Sequence, residues 1–89
     1  MNSDKTMYSL EEIISRIQKW LIDKYTLTID INDRYVDSGL IDSFDLINLV
    51  IFIESSYNIK FSSGNFDDPR FFTINGLSEL ILEKMSDDL

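Results

Sequence analysis

Apolar side chains recur every three or four positions along three stretches of the chain, which is the spacing of one face of an α-helix. Ser9 and Glu12 form an S-x-x-E capping box, which satisfies exposed amide groups at a helix start. The pattern therefore predicts a first helix over Tyr8–Lys24. The apolar face of this helix consists of Leu10, Ile13, Ile14, Ile17, Trp20 and Leu21.

The second stretch predicts a helix over Asp42–Ser56, whose first turn Asp42 or Ser43 can cap. This helix has two apolar faces, and an ordinary surface helix would need only one. The core face consists of Leu46, Leu49, Val50, Ile53 and Tyr57. The other face consists of Ser43, Phe44, Ile47, Ile51 and Glu54.

The third stretch predicts a helix over Ile74–Met85, capped by Thr73. The inward side chains of this helix are Ile74, Leu77, Leu80, Ile81 and Met85. Pro69 restricts the segment 62–72 to a brief or restarted helix. These elements predict an all-α fold in a single domain over residues 1–89, with frayed ends at 1–7 and 86–89.

The segment between the first two helices alternates apolar and polar residues, with Leu27, Ile29 and Ile31 at the apolar positions. Such alternation is typical of a strand, but no second strand candidate stands out. We therefore expect residues 25–41 to form a long ordered connection that tucks alternate side chains into the core. Connections of this length are often functional.

Charge and composition reduce the number of functions that the chain could have. The 89 residues carry a net charge of −8, which disfavours binding to nucleic acid and to anionic membranes. Basic protein partners are the natural complement, and the more acidic half, residues 42–89, is the expected docking half. Cysteine and histidine are absent, which removes thiol nucleophiles, thiolate metal sites and the commonest general base.

The location also follows from composition. Residues 1–7 are polar and lack the apolar run of a signal peptide. The longest apolar stretch, Leu46–Ile53, is far shorter than the roughly 18–20 residues that span a bilayer. We expect a cytoplasmic monomer without a membrane span.

The candidate chemistry lies at Asp42 and Ser43, where a helix starts after the long connection. A helix N-terminus presents amide donors and a positive dipole end, both of which favour a phosphate group. A serine there is also exposed to a modifying enzyme. Taken alone, however, an Asp-Ser pair before an apolar helix fits an ordinary N-cap better.

The run of residues 42–59 closely resembles the second helix of acyl carrier proteins, which a D-S pair opens. The matching residues are Asp42, Ser43, Leu46, Leu49, Val50, Ile53, Glu54 and Tyr57. The resemblance extends over nearly the whole chain, including a short third helix near Asn65–Phe66 and the Thr73-Ile74 start of the last helix. It implies a small four-helix bundle of the acyl-carrier type, with a long loop between helices 1 and 2 and a short third helix.

The resemblance also implies a function. A phosphopantetheinyl transferase would move 4′-phosphopantetheine from coenzyme A to the Ser43 hydroxyl, with Asp42 helping to position the donor. The arm would carry an acyl or aminoacyl group as a thioester, so the protein itself would not be an enzyme. Its other partners would be a loading ligase and downstream transferase or condensing enzymes. The docking face would consist of Phe44, Ile47, Asn48, Ile51, Glu54 and Ser55.

Some residues depart from the family pattern. Asn48 and Ser55 stand where fatty-acid carriers commonly have acids, so docking should depend more on apolar contact than on charge. The residues Phe66, Asp67 and Phe72 are more similar to D-alanyl and other aminoacyl carriers, and they favour that type.

Two other functions remain open. The chain could be an unmodified helical interaction module that binds a protein through the same apolar face. A carboxylate enzyme has little support, because no two acids lie in an obviously apolar setting.

The acids Asp30, Asp33 and Asp37 resemble a calcium loop but lack its glycine and terminal glutamate, so a solvated acidic loop is favoured.

Overall fold

A computed structural model describes residues 8–26, 29–38 and 41–87, which form four α-helices without a strand. The helices are α1 (Leu10–Tyr25), α2 (Ser43–Tyr57), α3 (Ser63–Phe66) and α4 (Ile74–Asp87). Two 3₁₀ turns lie at Tyr35–Ser38 and Pro69–Phe72. The all-α prediction is confirmed, and the three long helices begin within two residues of their predicted starts.

Helix α1 begins at the predicted capping box. The Glu12 amide donates to the Ser9 hydroxyl oxygen at 3.1 Å, and the Ser9 amide donates to Glu12 Oε1 at 2.9 Å. The apolar face of α1 is buried at Ile13, Ile17 and Leu21. This face therefore supplies one side of the core, as its spacing predicts.

Helix α2 buries Leu49, Ile53 and Tyr57. Its flank carries Phe52, whose ring stacks on Trp20 of α1 with centroids 5.2 Å apart. This stack joins the two helices and adds an aromatic contribution to the apolar burial between them.

The long connection is attached to the start of α4. The Asn75 amide donates to the Ile31 carbonyl at 2.8 Å, and Arg34 and Thr73 form an isolated antiparallel bridge. Tyr35 is fully buried, and its hydroxyl donates to the Phe71 carbonyl. The described part of the connection, residues 29–38, forms no strand, because its backbone pairs with the start of α4 and not with another extended segment.

Alternate side chains of the connection contact the core, as predicted, because Ile29 and Ile31 are half-buried against it. Leu27 lies outside the described residues. Among the described residues, the buried core consists of Ile13, Ile17, Leu21, Tyr35, Ile41, Leu49, Ile53, Tyr57, Ile59, Phe71, Ile74, Leu77, Leu80 and Ile81.

The turn at Pro69 is clamped onto α4. Arg70 forms ion pairs with Asp68 at 3.1 Å and with Glu83 at 2.7 Å. Thr73 caps α4 as predicted, because the Gly76 amide donates to its hydroxyl oxygen at 2.9 Å. The clamp and the cap together fix the path of the chain from α3 into α4.

Helix α4 continues to Asp87, two residues beyond its predicted end at Met85. Residues 1–7, 88 and 89 lie outside the described part of the chain.

Candidate functional site

Ser43 is the first residue of α2, and Asp42 is its N-cap. The Asp45 amide donates to Asp42 Oδ1 at 2.9 Å, and the Asp42 amide donates to Asp45 Oδ2 at 3.2 Å. Of the two candidate caps, the structure selects Asp42. The exposed Ser43 is therefore not the residue that caps the helix.

The electrostatics of this helix start favour a charged Asp42. Hydrogen bonds from backbone amides, above all the amide of Asp45, lower the pKa of the Asp42 carboxyl below its usual range. Asp42 is exposed to solvent beside Ser43. The site thus presents a serine hydroxyl next to a fixed, ionised carboxylate, at the positive end of a 15-residue helix.

Three of the predicted docking residues are strongly exposed. Phe44 retains 70 % of its accessible surface, and Ile47 and Ile51 each retain 56 %. These three residues lie on the second apolar face of α2, which the structure leaves open. The half-buried Leu46 and Val50 lie between this face and the core.

Of the other three docking candidates, Ser55 is exposed, while Asn48 and Glu54 are half-buried. Glu54 Oε2 accepts a hydrogen bond from the Phe61 amide at 3.0 Å, so this side chain anchors the segment that follows α2. The sequence showed Glu54 on the exposed face and gave no sign of this internal bond, because its partner is a backbone group seven residues away.

An apolar groove begins at Ser43. It is open to solvent, has a volume of about 380 Å³, and lies between α2 and Phe66 of α3. Its lining consists of Ser43, Leu46, Ile47, Val50, Ile51 and Phe66. A group attached to the Ser43 oxygen would start at the edge of this groove.

The far wall of the groove is held by aromatic packing. The Phe66 ring lies 4.8 Å from the Phe71 ring and 6.2 Å from the Phe61 ring, measured between centroids. Phe71 is fully buried, while Phe66 is 40 % exposed. The sequence indicated Phe66 only as a family match near the third helix, and its role as a wall depends on these tertiary contacts.

A larger open depression, of about 740 Å³, lies on α1 near the far end of α2. Arg16 lies over the Tyr57 ring there, 5.7 Å from its centroid, and interaction with Tyr57 raises the pKa of the Arg16 guanidinium. Tyr57 is the last residue of α2 and Ser43 is the first, so the depression is separate from the candidate site. It brings together none of the residues that the sequence singled out for chemistry.

The acidic loop does not assemble a metal site in the described part of the chain. Asp30 Oδ1 accepts a hydrogen bond from the Asn32 amide at 2.9 Å, which forms a local turn. Among the described residues, no group of three or more acids could hold a metal ion. The side chain of Asp37 lies outside the description.

Comparisons with known proteins add no assignment. No protein-family model matches this chain, and no curated protein and no solved structure shows significant similarity to it. Within residues 8–26, 29–38 and 41–87, no helix has both the length and the apolar content needed to cross a bilayer. The features that bear on function are therefore the geometry around Ser43 and the sequence resemblance.

Proposed function

We propose that this chain is a carrier protein of the acyl-carrier type, which holds an acyl or aminoacyl group as a thioester on a 4′-phosphopantetheine arm attached to Ser43. The observation that carries the proposal is the position of Ser43. Its side chain is exposed at the start of a long helix, it does not serve as the cap, and it lies at the edge of an apolar groove.

The residues present fit such an arm. The positive end of α2 offsets part of the negative charge of a phosphodiester on Ser43. The arm would supply the thiol that the chain lacks, since no cysteine occurs in the sequence. The groove offers apolar surface to a group that returns toward the protein.

Attachment would be carried out by a transferase. The Ser43 oxygen would bond to the phosphorus of coenzyme A that carries the pantetheine, while the pyrophosphate bond breaks and adenosine 3′,5′-bisphosphate leaves. The hydroxyl proton would pass to a base of the transferase. Asp42 would help to position the donor complex, because its carboxylate is ionised, exposed and fixed by the capping box.

The open face at Phe44, Ile47 and Ile51 would dock onto the transferase, the loading ligase and the downstream enzymes. Apolar side chains dominate this face, so its contribution to docking should depend weakly on salt. The same face would serve the alternative function, an unmodified interaction module. Modification of Ser43 is the property that separates the two.

The test is an intact mass measurement after incubation with coenzyme A, magnesium and a broad-specificity phosphopantetheinyl transferase. We expect the wild-type chain to gain one phosphopantetheine and Ser43→Ala to gain none. Ser63→Ala is the matched control, because Ser63 is also exposed at the first residue of a helix. An unmodified wild type, or an adduct that persists in Ser43→Ala, contradicts the proposal.

A second variant tests the charge of Asp42 separately from its role as the N-cap of α2. Asn is as good an N-cap as Asp, so Asp42→Asn should keep α2 intact while removing the carboxylate. We expect far-UV ellipticity to stay at the wild-type value and the transfer rate to fall. An unchanged rate would show that the carboxylate of Asp42 takes no part in positioning the donor.

A further inference from the structure

Helix α1 carries a second pattern on the side that faces away from the core. Residues three, four and seven positions apart share one face of a helix. At about 100° per residue, Ser15 and Lys19 lie about 160° from the buried Ile17. The outer stripe, which begins just before the helix, consists of Tyr8, Glu11, Ser15, Lys19 and Ile22, and all five residues are exposed.

Two apolar side chains lie at the ends of this outer stripe. Ile22 is 46 % exposed, and Tyr8 is 38 % exposed at the edge of the large open depression on α1. Single exposed apolar residues are normal on a protein surface, so their exposure alone indicates nothing. Their positions relative to the charged residues of the stripe carry the inference.

The outer stripe is complementary to itself about Ser15. Glu11 and Lys19 each lie four residues from Ser15, and Tyr8 and Ile22 each lie seven residues from it. When two copies of α1 lie antiparallel with Ser15 at a two-fold axis, each Glu11 faces the Lys19 of the other copy. Each Tyr8 then faces an Ile22, and the small Ser15 side chains at the axis let the helices approach closely.

We propose that the outer stripe of α1 binds a second copy of this chain, in an antiparallel two-fold dimer centred on Ser15. The inference goes beyond the proposed function and does not depend on modification of Ser43. It replaces the monomer that the sequence led us to expect. The outer stripe shares no residue with the groove beside Ser43 or with the open face of α2.

The charges of the monomer permit this pairing. Lys19 pairs with Asp23 at 3.1 Å, but both side chains are mostly exposed and such pairs are weak, so the Lys19 ammonium can turn to Glu11 of the second copy. The net charge of −8 on each chain opposes association at long range. About 0.15 M salt screens charges beyond about 8 Å, which leaves the close pairs as the dominant electrostatic contribution.

The first test is sedimentation equilibrium of the full chain at that salt concentration. An interface made by one helix face is small, so we expect the average mass to rise from one chain towards two between about 10 μM and about 1 mM. Lys19→Glu should weaken this association at least about tenfold. Lys60→Glu is the matched control, because it makes the same charge change at an exposed lysine outside α1, and it should associate like the wild type.

A charge exchange tests whether the pairs form between two copies. Glu11→Lys should also lose self-association, although it lowers the net charge from −8 to −6 and thereby reduces the general repulsion. An equimolar mixture of the Glu11→Lys and Lys19→Glu chains should associate again. In that mixture, the lysines of one chain at positions 11 and 19 face the glutamates of the other chain at positions 19 and 11.

A pair of isoleucine variants distinguishes this stripe from the open face of α2. Ile22→Ser should weaken association, whereas Ile47→Ser, at an isoleucine of α2 that is 56 % exposed, should leave it unchanged. A wild-type chain that stays monomeric at about 1 mM overturns the inference. Association that survives Lys19→Glu, or that Ile47→Ser abolishes, places the contact elsewhere and overturns it as well.

Discussion

Replacing Gly76 by alanine tests how closely the Pro69–Phe72 turn packs on α4. An ideal Cβ on Gly76 would lie 2.4 Å from the Arg70 carbonyl oxygen and 2.7 Å from the Arg70 Cα atom. Ordinary contacts at such a position begin at 3.4 Å. The nearest atoms belong to the backbone and cannot rotate away, so the turn would have to move by about 1 Å.

Two effects of opposite sign set the magnitude. Alanine is favoured over glycine inside a helix by about 1 kcal/mol. Overpacking costs about 1–3 kcal/mol, and we expect the upper part of that range where backbone must shift. The net loss is about 1–2 kcal/mol of unfolding free energy. In an 89-residue chain, this loss corresponds to a thermal midpoint lower by about 4–16 °C.

The assay is urea unfolding followed by far-UV ellipticity, with Gly64→Ala as the matched control. A Cβ on Gly64 would meet no atom within 4 Å, so that variant should be neutral or slightly more stable. If Gly76→Ala proves as stable as Gly64→Ala, the close approach of the turn to α4 is refuted. Because the turn carries Phe71, which supports Phe66, the Gly76 variant should also disturb the groove.

Two further predictions concern the contacts that hold this turn. Tyr35→Phe removes the hydroxyl that donates to the buried Phe71 carbonyl and should cost about 1–2 kcal/mol in urea unfolding, and an unchanged midpoint would contradict that bond. Arg70→Met should be less stable than the wild type at pH 7, and thermal unfolding across pH should show this difference shrinking as pH falls through the lowered pKa values of Asp68 and Glu83. Arg70 lowers the pKa values of Asp68 and Glu83 from the ordinary 3.8 and 4.5. The two ion pairs therefore stabilise the fold fully above the ordinary pKa values, and this stabilisation is lost as pH falls through the lowered pKa values. A difference that persists at pH 2 would refute the ion-pair explanation.

The sequence predicted the helices well because their signals are local. Helix α1 begins where Ser9 and Glu12 form a capping box, and α4 begins after Thr73. The end of α4 was harder to place, since residues 86 and 87 carry no stop signal and the helix simply continues. The cap of α2 could not be assigned between Asp42 and Ser43, because both residue types are good caps and only the backbone geometry separates them.

The groove could not be predicted from the same pattern. Leu46 and Val50 share an angular sector with the core residues of α2, so their spacing assigned them to the core. In the structure they are only half-buried and line the groove. The position of Phe66 depends on rings from two other segments, and Glu54 bonds to a backbone amide beyond the end of the helix. Periodicity along one helix carries no information about such contacts.

The central claim is that Ser43 carries a phosphopantetheine arm, and the most direct measurement is the mass of the Ser43-containing peptide from the chain expressed in its own cells. We predict a peptide that carries one phosphopantetheine, and fragmentation of that peptide should locate the group on Ser43. A fully unmodified Ser43 peptide, in cells whose other carrier proteins are modified, would contradict the claim and favour the unmodified interaction module.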